Sequence, residues 1–172
     1  MAKREKLDVF DFAIKAEKDG MAFYTKAAKK FDAEDLKKLF TNLAKEEANH
    51  LRIFSDFKVQ AELKGTDQTL RNPEIDDYLE AIVQDGLFPK GETVDRRLEK
   101  VETVGQACAI AMAAEKNAIL LYSELAKLSR DRDQKKFFEK IAKEEKFHMV
   151  MVRTLRANHD PMYAGLTFGK FF

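Results

Sequence analysis

The feature that most constrains this chain is an internal repeat. A shift of 98 residues lays 13–57 on 111–155 without a gap, and 16 of the 45 positions are identical. The first copy contains AEKDGMAFYTKAAK and LAKEEANH; the second contains AEKNAILLYSELAK and IAKEEKFH. Unrelated helices can share Ala and Lys through composition alone. They do not readily share Glu17/Glu115, Tyr24/Tyr122, Glu47/Glu145 and His50/His148 in one register. Each copy reads as two helices around a short turn. The repeat unit is a helical hairpin, and two hairpins make an all-α four-helix bundle.

Composition agrees. Seven Gly, three Pro and no Trp leave few helix breakers in a chain rich in Ala, Leu, Lys and Glu. The pattern predicts one domain over 1–172, with helices at 8–30, 33–63, 103–128 and 131–157. Phe31 and Asp32 make the first turn, with Asp32 as N-cap and Asp35 three residues on. Gly65 ends the second helix. Ser129 to Asp131 makes the other turn, and Asn158, His159, Asp160 and Pro161 end the fourth helix. Because the hairpins are parallel copies, the chain must cross the bundle between them. Residues 66–102 provide that crossover, with Asn72-Pro73, Gly86, Pro89 and Gly91 between short helical patterns around 74–85 and 93–101. Residues 85–89 can be read as a lid or as a structural loop. The tail, 158–172, carries Phe168, Phe171 and Phe172 and is expected to pack, at a place the sequence does not specify.

Steps of four and three pick out the core seam of each helix. The first reads Phe10, Ile14, Glu17, Met21, Tyr24, Ala28, Phe31, and the second Leu36, Phe40, Leu43, Glu47, His50, Phe54, Phe57. The third reads Cys108, Met112, Glu115, Ile119, Tyr122, Ala126, and the fourth Phe138, Ile141, Glu145, His148, Val152, Leu155. Every seam is broken near its middle by Glu, or by Glu and His. A buried carboxylate must be paired, protonated or bound to metal, and these seams offer no Lys or Arg. Two divalent cations solve the problem. Four carboxylates and two neutral imidazoles carry minus four, and two M²⁺ ions bring the site to neutrality.

The spacing points the same way. Glu47/His50 and Glu145/His148 are Glu-x-x-His pairs, which put carboxylate and imidazole on one helix face. Glu46 and Glu144, four residues before each His, can also face inward; the three-residue spacing favours Glu47 and Glu145. Carboxylate with imidazole suits iron or manganese, and zinc is compatible. Tyr24 and Tyr122 fall on the seams beside the acids. A buried phenol needs a partner, and a ligand carboxylate is the nearest on offer.

At these residues the sequence resembles the rubrerythrin branch of the ferritin-like di-iron carboxylate proteins, over the four helices but not the crossover or tail. Such bundles place one Glu on each of two helices and a Glu-x-x-His on each of the other two. Here the pattern falls on Glu17, Glu115, Glu47/His50 and Glu145/His148. The resemblance implies a ferritin-like bundle with two metal ions, iron first. It also implies that Glu47 and Glu145 bridge while Glu17 and Glu115 are terminal, with tyrosines close to the ligand carboxylates. Two departures stand out. The family's further carboxylate, three residues after the third-helix glutamate, is Ala118 here. A rubredoxin domain needs four Cys, and this sequence has only Cys108.

Other classes find little support. The 31 basic and 30 acidic side chains argue against nucleic acid or an anionic membrane as partner. No stretch approaches the roughly 18 apolar residues of a membrane span, and no signal-peptide core follows the charged start. A cytoplasmic protein is expected. The lone Cys108 excludes an intrachain disulfide and a cysteine metal knuckle, and reads as a small core residue. His159 reads as solvated, as do the faces carrying Lys37-Lys38 and Lys135-Lys136.

The first functional expectation is redox catalysis of rubrerythrin type: reduction of hydrogen peroxide or O₂ by a homodimer, with electrons from an external donor such as a rubredoxin-like protein. A manganese catalase-like site is a variant of it. The alternatives are a ferroxidase, iron-binding or iron-storage module in a larger assembly, and a non-catalytic metal-stabilised interaction bundle.

Overall fold

Two of the long helices begin where a side chain satisfies unpaired N–H groups of the first turn. The computed structural model describes residues 9–65, 77–79, 81–82, 94–129 and 131–164. They form α1 (Val9–Lys30), α2 (Glu34–Leu63), α3 (Val94–Glu99), α4 (Val104–Leu128), α5 (Arg132–His159) and α6 (Pro161–Ala164). The long helices pair within the repeat, α1 along α2 and α4 along α5.

Thr103 and Gln106 build a reciprocal capping box at the start of α4. Asp131 caps α5 by accepting from the N–H groups of Asp133 and Gln134. The start of α2 departs from expectation. Ala33 holds the N-cap position and offers no side-chain oxygen. Asp32 lies one residue outside it, with its carboxylate 3.6 Å from Lys37 Nζ. Gly65, at φ +64°, supplies the left-handed residue just after α2. Helix α5 runs two residues beyond the predicted end, because Asn158 and His159 do not break a helix as Pro161 does. Its last residue is not merely solvated: His159 Nε2 lies 2.7 Å from Asp35 Oδ2 and ties the end of α5 to the start of α2.

The predicted seams of α2 and α5 are buried from Leu36 to Phe54 and from Phe138 to Leu155. On α1 and α4 the seam is rotated. Ile14, Met21, Met112 and Ile119 are only partly buried, while Ala13, Gly20, Ala27, Ala111 and Ala114 face inward. Small residues are used on α1 where it meets α2: a Cβ on Gly20 would lie 3.4 Å from the Glu47 carboxyl carbon.

The core divides into two apolar clusters. One contains Phe10, Phe54, Leu121, Tyr122, Leu125, Phe138 and Ile141. The other contains Phe23, Tyr24, Leu36, Phe40, Leu43, Cys108, Val152 and Leu155. Every long helix contributes to both, and the Glu/His layer falls between its two contributions. The crossover touches both as well: Leu79 and Ile82 pack into the first cluster, Leu98 and Val101 into the second. Lys26 pairs with Asp95, and Lys30 donates to the Leu98 carbonyl at 2.5 Å, which holds α3 against α1. Residues 85–89 and the phenylalanines of 165–172 lie outside the described residues. Among the described residues no helix is long and apolar enough to cross a membrane.

Candidate metal centre

Helix periodicity brings one acid per helix, and two histidines, to the same level. Glu17 comes from α1, Glu47 and His50 from α2, Glu115 from α4, and Glu145 and His148 from α5. All six are buried, and the most exposed, Glu47, retains 6% of its surface. The structure thus brings together all six residues singled out from the sequence.

They form two clusters. His50 Nδ1 lies 3.3 Å from Glu145 Oε1, 3.5 Å from Glu17 Oε2 and 3.7 Å from Glu47 Oε2. His148 Nδ1 lies 3.0 Å from Glu145 Oε2, 3.7 Å from Glu115 Oε2 and 4.0 Å from Glu47 Oε1. Glu47 and Glu145 therefore each turn one oxygen to one cluster and the other oxygen to its neighbour. Glu17 and Glu115 each serve a single cluster. Within each group of four residues, one ligand atom per residue lies within 4.8 Å of the others.

Four atoms of this layer have no hydrogen-bond partner: Glu17 Oε2, His50 Nδ1, Glu115 Oε2 and Glu145 Oε1. Orphaned buried acceptors are costly. Here all four belong to the two clusters, two of them on the acids that serve a single cluster. Oxygen and imidazole nitrogen lone pairs converging without donors fit two divalent cations, and the donor set suits iron or manganese.

The phenols fit the same design, in a crossed manner. Tyr24 on α1 donates to Glu115 Oε1 on α4, and Tyr122 on α4 donates to Glu17 Oε1 on α1. Each terminal acid is thus held by one oxygen and keeps the other for the centre. Burial, followed by the charges of the nearby glutamates, raises both phenol pKa values well above 10. The tyrosines accordingly stay neutral donors.

Burial first, and then neighbouring carboxylates, raise the pKa values of Glu47 and Glu115. Burial opposes a charged imidazole, but the Glu115 and Glu145 carboxylates beside it prevail and push His148 up to about 12. His50 is raised in the same way by Glu145, Glu17 and Glu47. Glu145 is lowered: burial opposes its charge, and the two imidazoles beside it, His148 and His50, overcome it. Burial raises the Cys108 thiol to about 11, consistent with an inert core residue.

Two features were not legible as functional from the sequence. Glu46 and Glu144 do not join the inner layer; they lie outside the imidazoles, against Nε2 of His148 and His50 respectively. Their only signal was the Glu-Glu doublet present in both repeats. The second is a cavity of about 50 Å³ beside the centre, whose lining includes Glu17, Gly20, Glu47, Glu115, Ala118 and Ile82. Gly20 and Ala118 occupy equivalent repeat positions, three residues after Glu17 and Glu115, and neither carries a side chain that would fill the space.

Comparison with known proteins agrees with this geometry. The rubrerythrin family model matches residues 8–156. A crystal structure from Thermotoga maritima, described as a ferritin-like diiron-carboxylate protein, superposes with a TM-score of 0.68 at 26% identity. It covers 90% of this chain and 97% of its own. No curated protein sequence matches.

Proposed function

The chain belongs to the rubrerythrin family, and on that premise we propose that it is a di-iron enzyme that reduces hydrogen peroxide or O₂ with electrons from an external donor. One observation carries the reading. Glu47 and Glu145 each divide their two oxygens between the His50 and His148 clusters. Such sharing would let these two acids serve two metal ions in one centre rather than at independent sites. When bound, a pair of reduced ions supplies the two electrons needed to cleave an O–O bond.

The protein's own groups would do the rest. Glu17 with His50, and Glu115 with His148, complete the two ligand sets. Tyr24 and Tyr122 hold the terminal carboxylates in place. The apolar clusters on either side lower the local dielectric, which strengthens charge interactions within the layer. The cavity beside Gly20 and Ala118 has room for about three water-sized molecules. That space admits peroxide or O₂.

Reduction of hydrogen peroxide to two waters consumes two electrons and two protons. No cysteine cluster in this sequence can relay electrons, since Cys108 is alone and buried. A rubredoxin-like protein is the proposed source. The test is metal analysis of the native protein, followed by addition of peroxide to the reduced form. Two iron equivalents per chain and peroxide-driven reoxidation are expected. A reduced spectrum that peroxide leaves unchanged refutes the peroxidase reading, and assembly into a cage would favour iron storage instead.

A further inference from the structure

The Nδ1 atoms of His50 and His148 face the two clusters; their Nε2 atoms face outward to carboxylates. His148 Nε2 lies 2.5 Å from Glu46 Oε2, and His50 Nε2 lies 3.2 Å from Glu144 Oε2. Both contacts cross between the repeats, since Glu46 on α2 meets His148 on α5 and Glu144 on α5 meets His50 on α2. The histidines are almost fully buried, while Glu46 and Glu144 retain 52% and 35% of their side-chain surface. The carboxylates thus reach in from the bundle surface.

The geometry points to Glu46 and Glu144 as positioning residues that fix the tautomer and ring orientation of the opposite repeat's histidine. An ionised carboxylate can only accept a hydrogen bond. A neutral ring that faces such a carboxylate carries its proton on Nε2, which leaves the Nδ1 lone pair on the side of the carboxylate cluster, where it would be free to ligate. A ring without this clasp can turn about its side-chain bonds or carry the proton on Nδ1, where it cannot ligate. The inference rests on the di-metal reading but not on the reaction performed there. It also explains why both repeats carry Glu-Glu-x-x-His: the first acid serves the other hairpin's histidine, and the second serves the centre.

The two clasps are unequal. Glu46 makes the shorter contact. Glu144 makes the longer one and also lies 3.4 Å from Lys140 Nζ, which shares its charge. Loss of Glu46 is therefore expected to matter more.

The test uses the full chain and Zn²⁺ as a diamagnetic probe, with Glu46→Leu, Glu144→Leu and the two Gln variants. Zinc affinity is measured by competition with a chelator, and ring protonation by long-range ¹H–¹⁵N NMR of the imidazoles. Glu46→Leu is expected to weaken binding by about 10- to 100-fold and to disturb the His148 ring while leaving His50 in its tautomer. Glu144→Leu should show the converse with a smaller loss. Gln retains a carbonyl acceptor and is expected to restore most of the affinity. Leu variants with wild-type affinity and unchanged rings overturn the inference, as does a Glu46→Leu that disturbs both rings equally. A wild-type protein that binds metal but ignores peroxide would defeat the proposed reaction alone.

Discussion

The Tyr122→Phe substitution isolates one strand of this design. The Tyr122 ring is 1% exposed and stacks on Phe54 with centroids 5.4 Å apart and planes 23° from parallel. Phenylalanine keeps that packing, so only the hydroxyl and its bond to Glu17 Oε1 are removed. A hydrogen bond to a charged group contributes about 1.5–3 kcal/mol, and the orphaned acceptor accounts for much of the loss. For a chain of this size that is a fall in Tm of about 3–12 °C. Denaturant unfolding of chelator-treated protein at pH 7 measures it.

The pH dependence gives an independent check of sign. The folded phenols titrate well above 10, whereas unfolded ones titrate near 10. Stability from a raised pKa is full below the unfolded value and is lost as pH rises through the window above it. Each buried tyrosine then removes about 1.4 kcal/mol per pH unit. Tyr122→Phe should halve the alkaline slope contributed by Tyr24 and Tyr122 together. A variant with wild-type stability at pH 7 and an unaltered alkaline slope would refute the hydrogen bond and the burial argument together.

Other perturbations separate the roles of the ligands. Glu17→Ala is expected to retain one metal equivalent per chain, whereas Glu47→Ala or Glu145→Ala should lose both, because each serves both clusters; metal analysis after desalting decides. Metal uptake at pH 7 should release protons, since the pKa values of both histidines and of Glu47 and Glu115 are raised in the metal-free protein. A pH indicator in weakly buffered solution reads that release, and affinity should fall as pH is lowered. Phe138→Ala removes a ring packed against Phe10, Phe54 and Tyr122 and should cost about 3–5 kcal/mol of stability, checked by urea unfolding, without changing metal stoichiometry.

Much of this was legible because the repeat constrains register twice. A misplaced helix face would have had to be misplaced identically in both copies, so Glu17, Glu47, Glu115 and Glu145 converge as the seams required. Less legible was the rotation of α1 and α4. Periodicity weighs side chains by hydrophobicity and so preferred Ile14 and Met112; the packed bundle buries Ala13 and Ala111, because small residues admit a neighbouring helix or leave room beside the centre. Asp32 failed as a cap for a comparable reason. Its composition suits the position, but the chain turns one residue later and Ala33 occupies it. Glu46 was ambiguous because a side chain at the edge of the buried face can swing either way. Only the position of His148 on the opposite hairpin settles its direction.

That opposite placement runs through the whole centre. Glu145 completes the cluster of Glu17, Glu47 and His50, and Glu47 completes the cluster of Glu115, Glu145 and His148. Tyr24 holds Glu115, Tyr122 holds Glu17, Glu46 holds His148 and Glu144 holds His50. Each hairpin contains a Glu, a Tyr and a Glu-Glu-x-x-His, yet none of the acids or rings is satisfied within its own hairpin alone. A single hairpin would carry two buried acids and a buried imidazole with part of their partners missing, at the cost that unpaired buried charge imposes. Two hairpins joined through the centre remove that cost for both. The residues that hold the metals are thus also those that make the separate halves unfavourable and their pairing specific, which is why the polar layer can interrupt the core without dividing the bundle in two.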